Sequence, residues 1–107
     1  MSNQLIVALD TNELRHALEL ANSLASYCGM FKIGLELFCS AGNSAVREIA
    51  CHRPIMLDLK LHDIPITVER TVKVLSLLTP AILTVHAAGG EKMIAAARRG
   101  RPTSMSP

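Results

Sequence analysis

Apolar and polar positions along this chain switch between two periods, and the switches mark out four repeats of one unit. Leu5 to Leu9 is an unbroken apolar run, the pattern of a strand buried on both faces. Asp10 and Thr11 follow as N-cap candidates, and Leu14, Ala17, Leu18, Ala21, Leu24 and Ala25 then recur at helical spacing until Gly29. Met30 to Phe38 reads as a second strand, and Ser40, Gly42 and Asn43 lead into a short helix carrying Ala45, Val46, Ile49 and Ala50. Ile55 to Leu61 makes a third strand. Pro65 suits the first turn of a third helix, where its missing N–H costs nothing, and Val68, Val72, Leu75 and Leu78 line one face. Thr79-Pro80 breaks that helix. Ala81 to Val85 is a fourth strand, Gly89-Gly90 a turn, and Glu91 to Arg99 a fourth helix with Met93, Ile94 and Ala97 inward.

The order is therefore strand-helix four times, at roughly 25 residues per unit, which requires a parallel sheet with right-handed crossovers. The fold class is α/β. The last stretch, Gly100 to Pro107, has no apolar periodicity and is expected to be a disordered tail after a domain spanning residues 1–99.

Composition narrows the picture. The chain has 107 residues, 50% of them hydrophobic, with one Tyr, two Phe and no Trp, so Ala, Leu, Ile and Val must build the core. The net charge of +2 is mild and evenly spread, and the one basic cluster, Arg98, Arg99 and Arg101, reads as a solvated helix end; nucleic acid is not expected as a partner. Cys28, Cys39 and Cys51 are odd in number and lack metal-ligand spacing, so neither a disulfide framework nor a metal site is expected, and a reducing cytoplasm fits. No apolar run reaches the roughly 18 residues of a membrane span, and MSNQLIVALD lacks the basic flank of a signal peptide.

Candidate chemistry lies where parallel α/β folds place it, at the carboxyl ends of the strands. Asp10 ends strand one, Lys32 lies in strand two, Asp58 and Lys60 lie late in strand three, and His86 ends strand four. Each has an ordinary explanation alone: a helix cap for Asp10, a snorkelling edge residue for Lys32, a hydrogen-bonded turn for His86. Their coincidence on four consecutive strands favours a ligand. Strand periodicity puts Asp58 and Lys60 side by side, with Leu57, Leu59 and Leu61 facing the helix layer. An ion pair in a strand otherwise made of Ile, Met and Leu is costly unless used or well paired. A Lys ammonium flanked by carboxylates is suited to general-acid work.

The stretch LDLKLHDIP with Thr67 just beyond, ALD at strand one, FKIGLELF at strand two and TVHAAGG at strand four together resemble the orotidine 5'-phosphate decarboxylase family, in register from Leu5 to Ala97. The Asp-x-Lys-x-x-Asp core is shared with related phosphosugar enzymes such as hexulose-phosphate synthases; Ile-Pro-x-Thr and GLELF favour the decarboxylase. The resemblance implies a (β/α)8 TIM barrel, of which this chain would supply four units as a half-barrel. It implies conversion of orotidine 5'-phosphate to UMP and CO2 without metal or organic cofactor. Lys60 would deliver the proton to C6, and Asp58, Lys32 and Asp63 would complete an alternating charged array around it. Asp10 and Lys32 would hold the ribose hydroxyls. Asp63, with Ile64 and Thr67 close by, would belong to the neighbouring subunit's site, so a homodimer is implied.

The chain also departs from that family. A (β/α)8 barrel needs about 250 residues. The later segments that bring the family's phosphate-binding Arg, its bridging Gln and its pyrimidine-contacting Ser or Thr are absent, Ile66 stands where the family has Asn, and RRGRPTSMSP replaces a helical continuation. The chain is therefore expected to be an N-terminal half, truncated or shifted out of frame near residue 98 and inactive alone. One rival reading is a non-catalytic half-barrel that associates through its open sheet edges. The other, a receiver-like phosphoacceptor domain, expects an acidic pair after strand one and a Lys after strand five, where this chain has Asp10-Thr11 and no fifth strand.

Overall fold

The computed structural model describes residues 3–102. Four strands, β1 (Ile6–Ala8), β2 (Met30–Gly34), β3 (Ile55–Leu61) and β4 (Ile82–Val85), alternate with four helices, α1 (Leu14–Leu24), α2 (Leu35–Ala50), α3 (Pro65–Ser76) and α4 (Gly90–Gly100). The strands form one parallel sheet in the order β1-β2-β3-β4, so each unit adds its strand beside the one before it. This is half of the eight units of a TIM barrel. The chain divides into two compact units, Met1–Asp58 with Pro80–Leu83 and Leu59–Thr79 with Thr84–Pro107.

In the first unit, β2 alternates as its sequence dictates: Phe31 and Ile33 are fully buried while Met30, Lys32 and Gly34 are half-buried. Leu37, Val46 and Ile49 of α2 and Ala17 and Ala21 of α1 complete an apolar core in which small Ala side chains let the two helices approach. The register Gly34↔Asp58 and Lys32↔Met56 aligns the carboxyl ends of β2 and β3.

In the second unit α3 lies against α4. Val68, Val72 and Leu75 bury one face of α3, and Met93, Ala96, Ala97 and Gly100 the facing side of α4. Ile64, in extended conformation, precedes Pro65 at the start of α3, as the sequence predicts for a proline without an N–H to satisfy. Gly100 is there because nothing larger fits: a methyl group on it would collide with the Glu69 carbonyl oxygen and lie 2.9 Å from Val72 Cβ. Glu69 also receives Arg99 at 3.3 Å and Lys73 at 4.0 Å.

Several sequence expectations are corrected. The second strand ends at Gly34, not Phe38, because Leu35 opens α2, with Gly42 (φ 59°) kinking that helix where the sequence suggested its start. Helix α1 begins at Leu14 behind Glu13, so neither Asp10 nor Thr11 is its N-cap; Thr11 Oγ1 instead accepts from the Glu13 N–H at 3.2 Å. Strand β1 is not buried on both faces: Leu5 is 63% and Ile6 46% exposed, and only Leu9 is fully enclosed. Ile94, expected inward, is 41% exposed, its place taken by Ala96. Gly100, assigned to the tail, closes α4 and is buried. The rest of the expected disordered tail, from Thr103 on, lies outside the described residues.

Candidate functional site

The chemistry-bearing residues of the first unit gather at the carboxyl ends of β1, β2 and β3. The Leu9 N–H donates to the Lys32 carbonyl at 3.0 Å, which fixes where β1 gives way to the exposed loop residue Asp10. Asp58 stands opposite Gly34, and Lys32 lies two residues before Gly34 on the same side of β2. Diagonal neighbours of this kind are about 7–8 Å apart at their Cα atoms, a span a Lys crosses. Lys32 Nζ indeed lies 3.6 Å from Asp58 Oδ2, with the two side chains 29% and 11% exposed. A carboxylate so withdrawn from water needs a cation or strong donors to stay charged, and Lys32 is one.

In the second unit β3 continues with Lys60, whose backbone is unusual. Its φ is +50°, in the left-handed region that a strand residue with a side chain rarely adopts. Regular strand geometry is thus interrupted at Lys60 itself. The ladder accounts for the distortion. Ala81 N–H donates to the Ile55 carbonyl and His86 N–H to the Leu61 carbonyl, both at 2.9 Å, so β3 advances six residues while β4 advances five. The extra residue is a β-bulge, rare in parallel pairs and concentrated beside active sites. The Lys60 N–H donates to Thr84 Oγ1 at 2.9 Å.

Asp63 and its neighbours lie on the loop that enters α3. Asp63 Oδ1 accepts from the Ile64 N–H at 2.7 Å, Ile64 is 61% exposed, and Thr67 is exposed in the first turn of α3. His86 is a hydrogen-bonded turn residue: its Nδ1 accepts from the Ala88 N–H at 3.1 Å. Its ring stacks on His62, with centroids 5.3 Å apart. The structure thus joins Lys32 to Asp58 through their side chains and places Asp10 beside the end of β2, whereas Lys60, Asp63, Ile64 and Thr67 belong to the second unit. Sequence reasoning missed Thr84 and the His62–His86 stack. A hydroxyl between Leu83 and Val85 in an otherwise apolar strand was the available sign of Thr84.

All three cysteines are free thiols, Cys28 buried and Cys39 and Cys51 exposed. Among the described residues no group of three or more His, Cys, Asp or Glu is placed to hold a metal ion, and no helix is long and apolar enough to cross a membrane.

Comparison with known proteins bears on the same residues. A family model described as orotidine 5'-phosphate decarboxylase / HUMPS matches residues 3–104. The orotidine 5'-phosphate decarboxylase of Wolbachia from Brugia malayi is 53% identical over 93 residues, 86% of this chain and 41% of that protein. The crystal structure of orotidine 5'-phosphate decarboxylase from Pyrococcus horikoshii superposes with a TM-score of 0.83 at 27% identity, covering 91% of this chain and 48% of that one. The Methanocaldococcus jannaschii enzyme complexed with the inhibitor BMP gives 0.83 at 29% identity, over 92% and 46% of the two chains. This chain spans less than half the length of each of these three proteins. With its motifs, its strand order and a family match running nearly end to end, the chain belongs to the orotidine 5'-phosphate decarboxylase / HUMPS family.

Proposed function

We propose that this chain supplies the lysine-bearing half of an enzyme that converts orotidine 5'-phosphate to UMP and CO2. The observation that carries the reading is the Lys32–Asp58 pair at 3.6 Å, a nearly enclosed carboxylate held by an ammonium at the carboxyl ends of adjacent parallel strands. As the C6–carboxylate bond breaks, its electron pair stays on C6. Lys60 donates a proton there and later regains one from solvent. A fixed ammonium aimed at that carbon stabilises the charge as it forms. Asp58, set beside the substrate carboxylate, raises the ground state by repulsion that ends when CO2 leaves. Asp10 and Lys32 hold the ribose hydroxyls, and Lys32 and Asp63 complete the charged array. Asp63, Ile64 and Thr67 serve the neighbouring subunit's site in a cytoplasmic homodimer. The reaction draws on side chains alone, without metal or organic cofactor.

A second reading has its own observation. Leu5, Ile6 and Ile82, on or beside the outer strands β1 and β4, are 63%, 46% and 41% exposed. Outer strands with apolar side chains attract a partner strand, so a half-barrel that associates with another copy or with a completing half, without turnover, fits them. Unfolding of the 107-residue chain with and without UMP separates the two. The decarboxylase reading expects stabilisation of about 2.7 kcal/mol at a hundredfold excess of UMP over its dissociation constant. No shift in a cooperatively folded chain would leave the assembly reading.

A further inference from the structure

The bulge in β3 turns a backbone group around. In the regular part of the ladder the even-numbered residues of β3 face β2 and the odd-numbered ones face β4: the Pro54 carbonyl accepts from Phe31 on β2, and the Ile55 carbonyl accepts from Ala81 beside β4. The N–H and C=O of one strand residue point to the same side, so a regular β3 would aim the Lys60 N–H at β2. It points the other way, to the hydroxyl of Thr84 on β4, at 2.9 Å. The reversal and the left-handed φ of +50° are the same event. A residue with a side chain resists that conformation, and it persists only where the surroundings impose it.

From this we infer that Thr84 is a positioning residue for Lys60: its hydroxyl accepts the Lys60 N–H and thereby holds Lys60 in the left-handed conformation. The Thr84 hydroxyl, set out from the strand by one carbon, reaches the Lys60 N–H at 2.9 Å. The neighbouring bond from the His86 N–H to the Leu61 carbonyl, 2.9 Å, restarts the ladder one residue out of step and closes the bulge on its far side. The inference rests on the proposed role of Lys60 as proton donor for its catalytic meaning, but not for its structural content.

The experiment compares the 107-residue chain with Thr84→Val, which keeps the shape and removes the acceptor, and Thr84→Ser, which keeps the acceptor. Amide hydrogen exchange at Lys60 and its N–H to Hα coupling are read by NMR, with Leu61 as internal reference. Thr84→Val is expected to raise Lys60 exchange at least about tenfold relative to Leu61, since a lost local hydrogen bond lowers the local opening free energy, and to move the coupling; Thr84→Ser restores both. A folded Thr84→Val variant with Lys60 exchange and coupling unchanged would overturn the inference. Should that variant not fold, the unaltered chain decides: a Lys60 coupling typical of extended strand refutes the left-handed bulge. A failure of the catalytic reading is separate, appearing as decarboxylation by a full-length chimera carrying these residues that survives Lys60→Ala while the backbone signals of the 107-residue chain stay as expected.

Discussion

Lys32 and Asp58 face each other across neighbouring strands with 3.6 Å between Nζ and Oδ2, diagonal partners rather than direct ones because Gly34 occupies the position opposite Asp58. Asp58 is the more withdrawn of the two, at 11% exposure, so the pair matters more to the carboxylate than to the ammonium. A double-mutant cycle with Lys32→Met and Asp58→Asn should give a coupling energy of about 1 kcal/mol, at the upper end for partly exposed pairs. Urea unfolding measures it; a coupling indistinguishable from zero would mean the pair is incidental.

Lys60 at φ +50° bears a backbone cost that glycine would not. Lys60→Gly should therefore be more stable than Lys60→Ala by about 1 kcal/mol, the reverse of the usual order in a strand. Chemical denaturation of the two variants tests this, and Ala exceeding Gly would argue for an ordinary extended residue.

Gly100 allows α4 to close on α3, and an added methyl meets the Glu69 carbonyl oxygen and Val72. Gly100→Ala should lower stability by about 1–3 kcal/mol, the range for overpacking a fixed backbone contact. A thermal shift assay reads this directly; a neutral or stabilising result would mean that α4 frays before Gly100.

Cys28 is buried while Cys39 and Cys51 are exposed. A thiol reagent applied to the native chain should modify Cys39 and Cys51 rapidly and Cys28 only on unfolding. Equal rates at all three would contradict the packing around Cys28.

Much of the fold was legible because each element carries a strong period or stop signal: Phe31 and Ile33 about Lys32 in β2, Pro65 opening α3, Val68, Val72 and Leu75 on one helical face. The misplacements arise where sequence gives two answers. Leu35 to Phe38 suits a strand as well as a helix by composition, and tertiary packing of Leu37 decides for helix. β1 reads as doubly buried because Leu5 to Leu9 are all apolar, yet as the outer strand of a four-stranded sheet it leaves Leu5 and Ile6 exposed. Among the candidate residues, the pairing of Lys32 with Asp58 follows from strand register, and the bulge at Lys60 does not. A one-residue slip between two strands is a difference of long-range hydrogen bonds, and nothing local in Leu59-Lys60-Leu61 announces it.

The central claim is that these residues, with Lys60 at their centre, form half of an orotidine 5'-phosphate decarboxylase. The most direct measurement replaces the matching segment of the 53% identical Wolbachia enzyme by residues 3–102 of this chain and follows loss of orotidine 5'-phosphate. The chimera is predicted to decarboxylate, and Lys60→Ala within it to lose at least about 10²- to 10⁴-fold, the usual contribution of a positioned general acid. A folded chimera without activity, or one indifferent to Lys60→Ala, would contradict the account.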